Sequence, residues 1–373
     1  NNVEYIETSA FANAKSYNYS SDMLNSGVKN TLEIVGDHAI KYIGSGAFLN
    51  ARITSLPISN VTEYVGDSAF EGCTYLTGDS LDLTVSANLK YIGDYAFAGF
   101  VSQNKEVVKV PLKSVSFAAS GIKSVGVGAF AYCADLDTVD LGKLEKLSDQ
   151  MFKGCASLTS VRMPNTIKSI GRESFADCSA LSSVSFSSGL TAIADGAFAN
   201  TTALKSVVVP EKVTRIGASA FELSGLETIT LNSVTDIGAR AFASTMLTRV
   251  ASSKIVNIGD GAFSDCSLLS TLDMPNLMTV GAAAFEKCVG LTSVTLPIAS
   301  SIGDGAFADC TGLEAVTLAK VRTVGDKAFA GAVKLASVSL GKVESLGARV
   351  FENTAVTSVE LPDTLDIVAD GAF

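Results

Sequence analysis

The chain has no tryptophan and a single histidine among its 373 residues. A Ser-His-Asp or Cys-His nucleophile system would have to use His38, which sits beside no recognisable motif. No phosphate loop, zinc-ligand spacing or dinucleotide fingerprint occurs, and the many G-x-G strings fall within repeats. These absences point away from an enzyme and away from any cofactor or metal. Lys and Arg form no cluster, and the formal charge is −10. Nucleic acid and anionic membrane surfaces, which need a positive face, are therefore not expected partners. No apolar run is long enough to span a bilayer, although 47% of residues are hydrophobic. Tyrosine is missing from everything after Tyr132.

What the chain does contain is a repeat. A phenylalanine, usually within I-G-x-x-A-F, recurs at 11, 48, 70, 97, 130, 152, 175, 198, 221, 242, 263, 285, 307, 329, 351 and 373. From Phe130 onward every interval is 21 to 23 residues. A period of that size marks a solenoid, in which each unit buries its apolar face on its neighbours. In Leu158–Cys178, Val161 and Met163 alternate with Ser160 and Arg162, the period-2 signature of a half-buried strand. Pro164 ends that strand. Ile167 and Ile170 face inward from a second extended stretch, Gly171 permits a turn, and Phe175 plugs the core from a short helical turn. About sixteen coils stacked at strand spacing predict a parallel sheet and a length on the order of 75 Å.

The pattern L-x-x-V-x-L-P followed by I-G-x-x-A-F-x-x-C, as in Leu291–Pro297 with Ser301–Cys310, resembles the leucine-rich repeat of the BspA-like (Treponema pallidum-type) class. Proline often stands where the general leucine-rich pattern has its Asn or Cys ladder. The expected fold is an α/β solenoid: a right-handed leucine-rich-repeat superhelix with one long parallel β-sheet, second short strands, and short helical or 3-10 turns. The resemblance implies a secreted or surface protein engaged in adhesion, binding a host extracellular protein or matrix component. A spacer displaying another domain and a glycan-binding surface protein are the alternatives.

Residues 1–132 hold irregular repeats, with insertions at Ala14 to Asn30, Thr77 to Ala87 and Val101 to Ala119; residues 133–373 are regular and continuous with them. The chain opens at Asn1 without Met and ends inside a repeat at Phe373. Either a leader has been removed or the chain is a cut piece of a longer protein, so any leader or anchor is expected outside this chain, and a further coil or cap after it.

Two columns imitate sites. Cys73, Cys133, Cys155, Cys178, Cys266, Cys288 and Cys310 each lie three residues after a repeat phenylalanine. Their odd number and one-per-coil spacing point to small buried thiols rather than disulfides or a metal ladder. Asp67, Asp94, Asp149, Asp195, Asp260, Asp304, Asp326 and Asp370 stand three residues before it. They read as N-caps of the short turn; a calcium ladder, needing several oxygens per ion, is the alternative.

The outward residues of the main strands, such as Ser293/Thr295 and Ser337/Ser339, are small, polar and nearly uncharged. Arg162 and Arg249 are the larger side chains there and are candidate contacts. All nine tyrosines lie in the first 132 residues, and tyrosine favours binding hot spots. Tyr17, Tyr19, Tyr75, Tyr91 and Tyr95 are therefore the leading candidates for a partner-binding surface.

Overall fold

The structure, a computed structural model, describes residues 3–14, 39–78 and 82–373. It comprises two compact units, Asn1–Gly189 and Leu190–Phe373. Each is a stack of coils built from longer strands, short strands and turns around the repeat phenylalanine.

In Leu190–Phe373 the short strands form an all-parallel ladder of nine among the described residues, running in chain order from Ala192–Ile193 to Ile367–Val368. In Asn1–Gly189 a separate parallel ladder of the equivalent strands joins Tyr5–Ile6, Tyr42–Ile43, Tyr64–Val65 and Tyr91–Ile92. The longer strands pair in parallel over shorter runs: Asp82–Thr84, Ser114–Ser116 and Thr138–Asp140 in the first unit, for example, and Ser293–Thr295, Ala315–Thr317 and Ser337–Ser339 in the second. Their period-2 alternation holds. Val161 and Val294 point into the core while Ser160, Arg162, Ser293 and Thr295 are exposed.

The turn around the repeat phenylalanine takes a form that differs from the expected helical turn. Around Phe263, the N–H groups of Ala262, Ser264 and Cys266 donate back to Gly259, Gly261 and Phe263. The alternating N–H groups of Gly261, Phe263 and Asp265 instead donate to Ala282, Ala284 and Glu286 of the next coil, each at 2.8 Å. Gly261 and Asp265 both take left-handed φ of 59°, which turns alternate amides outward. A helical turn would spend its hydrogen bonds within itself; this one shares them and so builds a third ladder along the stack.

Phenylalanine rings stack inside both units. In the first, Phe11, Phe48, Phe70, Phe97, Phe130, Phe152 and Phe175 lie in series with centroids 5.1 to 5.7 Å apart. In the second, Phe198 to Phe373 stack likewise, as at Phe263 and Phe285 (5.3 Å, 1°). Rings from Phe48 to Phe329 are fully buried.

The glycine before the turn has a different role from the one expected of it. Gly171 does not adopt a left-handed φ; a Cβ there would lie 2.4 Å from the backbone of Ser148 and Asp149. Close approach of the preceding coil, rather than turn geometry, demands glycine.

Insertions interrupt the regular period in the first unit. Within Val101 to Ala119, Val107–Val108 folds back antiparallel on Phe100–Val101, and Ser114–Ser116 then joins the longer-strand ladder. The Thr77 to Ala87 segment contributes the strand Asp82–Thr84, with 79–81 outside the described residues. The insertion after Ala14 lies outside them too.

Candidate recognition surface

The short strands of the first unit read Y-I, Y-I, Y-V and Y-I. Their second residue is buried, so the tyrosine points outward. Parallel pairing in register then places Tyr5, Tyr42, Tyr64 and Tyr91 in one column. Tyr42 stacks on Tyr64 at 4.5 Å and Tyr64 on Tyr91 at 4.6 Å, with near-parallel planes; Tyr5 tilts against Tyr42 at 6.1 Å. A second column beside it alternates in sign. Lys41 pairs with Glu4 at 3.2 Å and Lys90 with Glu63 at 2.5 Å. The hydrogen bond and charge of Lys90 hold the Glu63 carboxyl below its ordinary range. The Tyr91 hydroxyl donates to Asp67 Oδ1 at 3.2 Å. Burial, and then the Asp67 carboxylate, push the Tyr91 phenol up to about 12, so it stays neutral at physiological pH.

The sequence candidates fall into separate places. Tyr91 belongs to this column. Tyr75 is exposed and lies under the Arg52 guanidinium, 4.9 Å from the ring centroid. Tyr95 is exposed, with left-handed φ, and its ring lies over Gly128, where a Cβ would come within 2.4 Å of it; its hydroxyl reaches Gln150 at 3.3 Å. Arg162 is exposed on its strand, and exposed Arg249 approaches Asp273 at 3.4 Å. Tyr17, Tyr19 and His38 lie outside the described residues. Tyr5, Tyr42 and Tyr64 were not singled out from the sequence, although each directly precedes the Ile or Val of its short strand.

Beyond Tyr91 the short ladder breaks. The next coil offers Ser124 at the tyrosine position, and no strand pairing joins Tyr91–Ile92 to Ser124–Val125 among the described residues. The coils remain pinched at the glycine: Gly126 N–H donates to Ile92 at 2.9 Å, and a Cβ on Gly126 would lie 2.2 Å from Gly93. Between pinch and gap an open cleft of about 600 Å³ forms, lined by Tyr91, Ser124, Lys90, Lys123, Lys146 and Asp94, among others.

The two columns that imitate sites are structural. Every cysteine is free and buried, and each donates its S–H to the phenylalanine carbonyl of the preceding coil, as Cys288 does to Phe263 at 3.1 Å. Burial pushes the Cys73 and Cys310 thiols up to about 12. The aspartates cap, but not their own turn. Asp67, Asp260, Asp304 and Asp326 each accept the N–H of the equivalent residue one coil later, at 2.8 to 2.9 Å. They staple coil to coil. No cluster of three or more His, Cys, Asp or Glu is placed to hold a metal ion among the described residues. Nor is any helix there long and apolar enough to cross a membrane.

A family model described as a BspA type leucine rich repeat region matches residues 1–106, 108–227, 191–314 and 256–373. Comparison with curated proteins finds no match. Among solved structures, a leucine-rich repeat protein from Bacteroides ovatus is similar at 22% identity, covering 90% of this chain and 82% of that one, with a TM-score of 0.64. A leucine rich cell surface protein from Faecalibacterium prausnitzii is 23% identical over 90% of this chain and 83% of its own, with a TM-score of 0.48. The pneumococcal vaccine antigen PcpA is 16% identical over 78% and 85%, with a TM-score of 0.45. With the repeat model matched along nearly its whole length and the coils stacked as parallel ladders, this chain belongs to the BspA-type leucine-rich-repeat family.

Proposed function

We propose that the chain is a non-enzymatic recognition module of the cell surface or extracellular space, which binds a host extracellular protein or matrix component through the tyrosine column of its first unit. The observation that carries this reading is the column itself. Tyr5, Tyr42, Tyr64 and Tyr91 give a row of rigid, partly exposed aromatic side chains flanked by ordered charge. Aromatic anchors of this kind supply much of the energy of protein recognition. Family membership supports a binding scaffold.

The same strand position in the second unit holds Thr279, Ser301, Thr323 and Ser345. Replacing Tyr5, Tyr42, Tyr64 and Tyr91 by Thr therefore uses a residue the coil already accepts. The test is binding of residues 1–373, and of this quadruple variant, to an array of extracellular matrix proteins and mucosal glycans. We expect binding by the parent and its loss in a folded variant; equal binding by both would overturn the reading. The small polar outward rows of the second unit favour a spacer role for that unit.

A further inference from the structure

The cleft beside Tyr91 brings an aromatic ring, a serine and lysines together. Tyr64 covers one face of the Tyr91 ring. At the same register one coil later stands Ser124, so no fifth aromatic covers the other face, which borders the cleft. Three ammonium groups surround the opening. Lys90 is paired with Glu63, and Lys123 with Glu145 at 3.0 Å. Lys146 also lines the cleft and makes no ion pair among the described residues. One carboxylate, Asp94, lies there as well, but its Oδ1 already accepts the Val127 N–H at 2.6 Å. The site thus combines a flat apolar plate, a hydroxyl and an uncommitted cation within a cleft of about 600 Å³, large enough for a small ligand.

We propose that this cleft binds a pyranose bearing a carboxylate, with the C–H face of the sugar ring stacked on Tyr91 in the vacant fifth place of the column and the carboxylate at Lys146. This deepens the recognition reading and rests on it. The chemistry is that of a uronic acid or a sialic acid within a glycan. An acidic peptide satisfies the observations less well. Added to a sheet edge it would need a run of free backbone groups, and Tyr91–Ile92 offers only two residues. A pyranose needs no strand, and a cleft of about 600 Å³ has room for one.

The test uses residues 1–373 with four probes: a hyaluronan hexasaccharide, sialyllactose, the neutral N-acetylglucosamine hexamer and a tyrosine-containing oligoglutamate peptide. Binding is read by calorimetry and saturation-transfer NMR. Ser124→Tyr is the informative variant, because a fifth tyrosine would extend the stack and fill the cleft while preserving the fold. Tyr91→Thr and Lys146→Gln accompany it, with circular dichroism as the check on folding. We expect at least one carboxylated sugar to bind about tenfold more tightly than the neutral hexamer, and the two acidic probes to identify which sugar acid is taken. Ser124→Tyr and Tyr91→Thr should each weaken binding about tenfold or more, and Lys146→Gln should remove the preference for the acid. The cleft assignment is overturned if neither acidic sugar binds, if folded Ser124→Tyr binds them as the parent does, or if the acidic peptide binds as tightly. An extracellular protein captured equally by parent and Ser124→Tyr, with no sugar bound, would refute the cleft while leaving the tyrosine-column reading standing.

Discussion

Phe263 shows what one residue contributes to this chain. Its ring lies between Phe242 and Phe285, each 5.3 Å away, and is wholly buried. Truncation would leave a cavity touching three coils at once, with no side chain free to collapse into it. Phe263→Ala should therefore cost about 3–5 kcal/mol in a urea unfolding experiment. Cysteine makes the opposite point, since a reactive residue type here serves as packing. Burial opposes the thiolate at every cysteine position, and the thiolate is the nucleophile. A thiol-specific reagent at pH 8 should label none of the seven cysteines in the folded chain and all of them in denaturant. Rapid native labelling would contradict the assignment. The inert role of cysteine was legible from its recurrence in one slot per coil. Its carbonyl partner was not, because that partner belongs to another coil.

At the scale of the element, the coil is held by three parallel ladders and spaced by glycine. A Cβ at Gly281 would sit 2.5 Å from the Gly259 carbonyl carbon and 2.6 Å from the Asp260 nitrogen. The obstruction is backbone, so it cannot swing aside as a side chain would. Gly281→Val should destabilise by about 1–3 kcal/mol in chemical denaturation. Gly281→Ala should cost less, since Ala369 already occupies that place in its own coil. The aspartate slot teaches a related lesson. Asp and Ser before a turn suggest a local cap, and an oxygen acceptor is indeed required. Yet Asp304 accepts from Asp326, and Asp326 from Ala348, each a full coil away.

Across the whole molecule, the acidic balance of −10 coexists with ion pairs that bridge neighbouring coils. Arg240 meets Glu222 at 2.6 Å and Arg322 meets Glu344 at 2.5 Å. Burial of Glu222 opposes its ionisation, but hydrogen bonds from Arg240 and Ser219 and the guanidinium charge outweigh it and hold the carboxyl below its ordinary 4.5. The Glu222 hydrogen bond in turn raises the pKa of Arg240 and outweighs the burial that opposes its ionisation. A carboxyl depressed on folding binds fewer protons in the folded than in the unfolded chain. Its contribution is complete above the unfolded value near 4.5 and is lost as pH falls through the lower folded value. Thermal midpoints should therefore drop by about a few degrees between pH 6 and pH 3, with a smaller drop in Glu222→Gln. A midpoint unchanged across that range would argue that these surface pairs contribute nothing, as many such pairs do.

The amino-acid sequence by itself determined the repeat, the inward and outward sides of each strand, the phenylalanine core and the burial of the cysteines. Each of these depends on spacing within one coil, where side-chain alternation and period leave little freedom. Only the tertiary structure decided which N–H each aspartate caps, why glycine precedes the turn, which tyrosines share a column and where that column stops at Ser124. Those features depend on the register between residues 21 to 37 positions apart. Insertions of unequal length hide that register along the chain, and parallel pairing restores it in space.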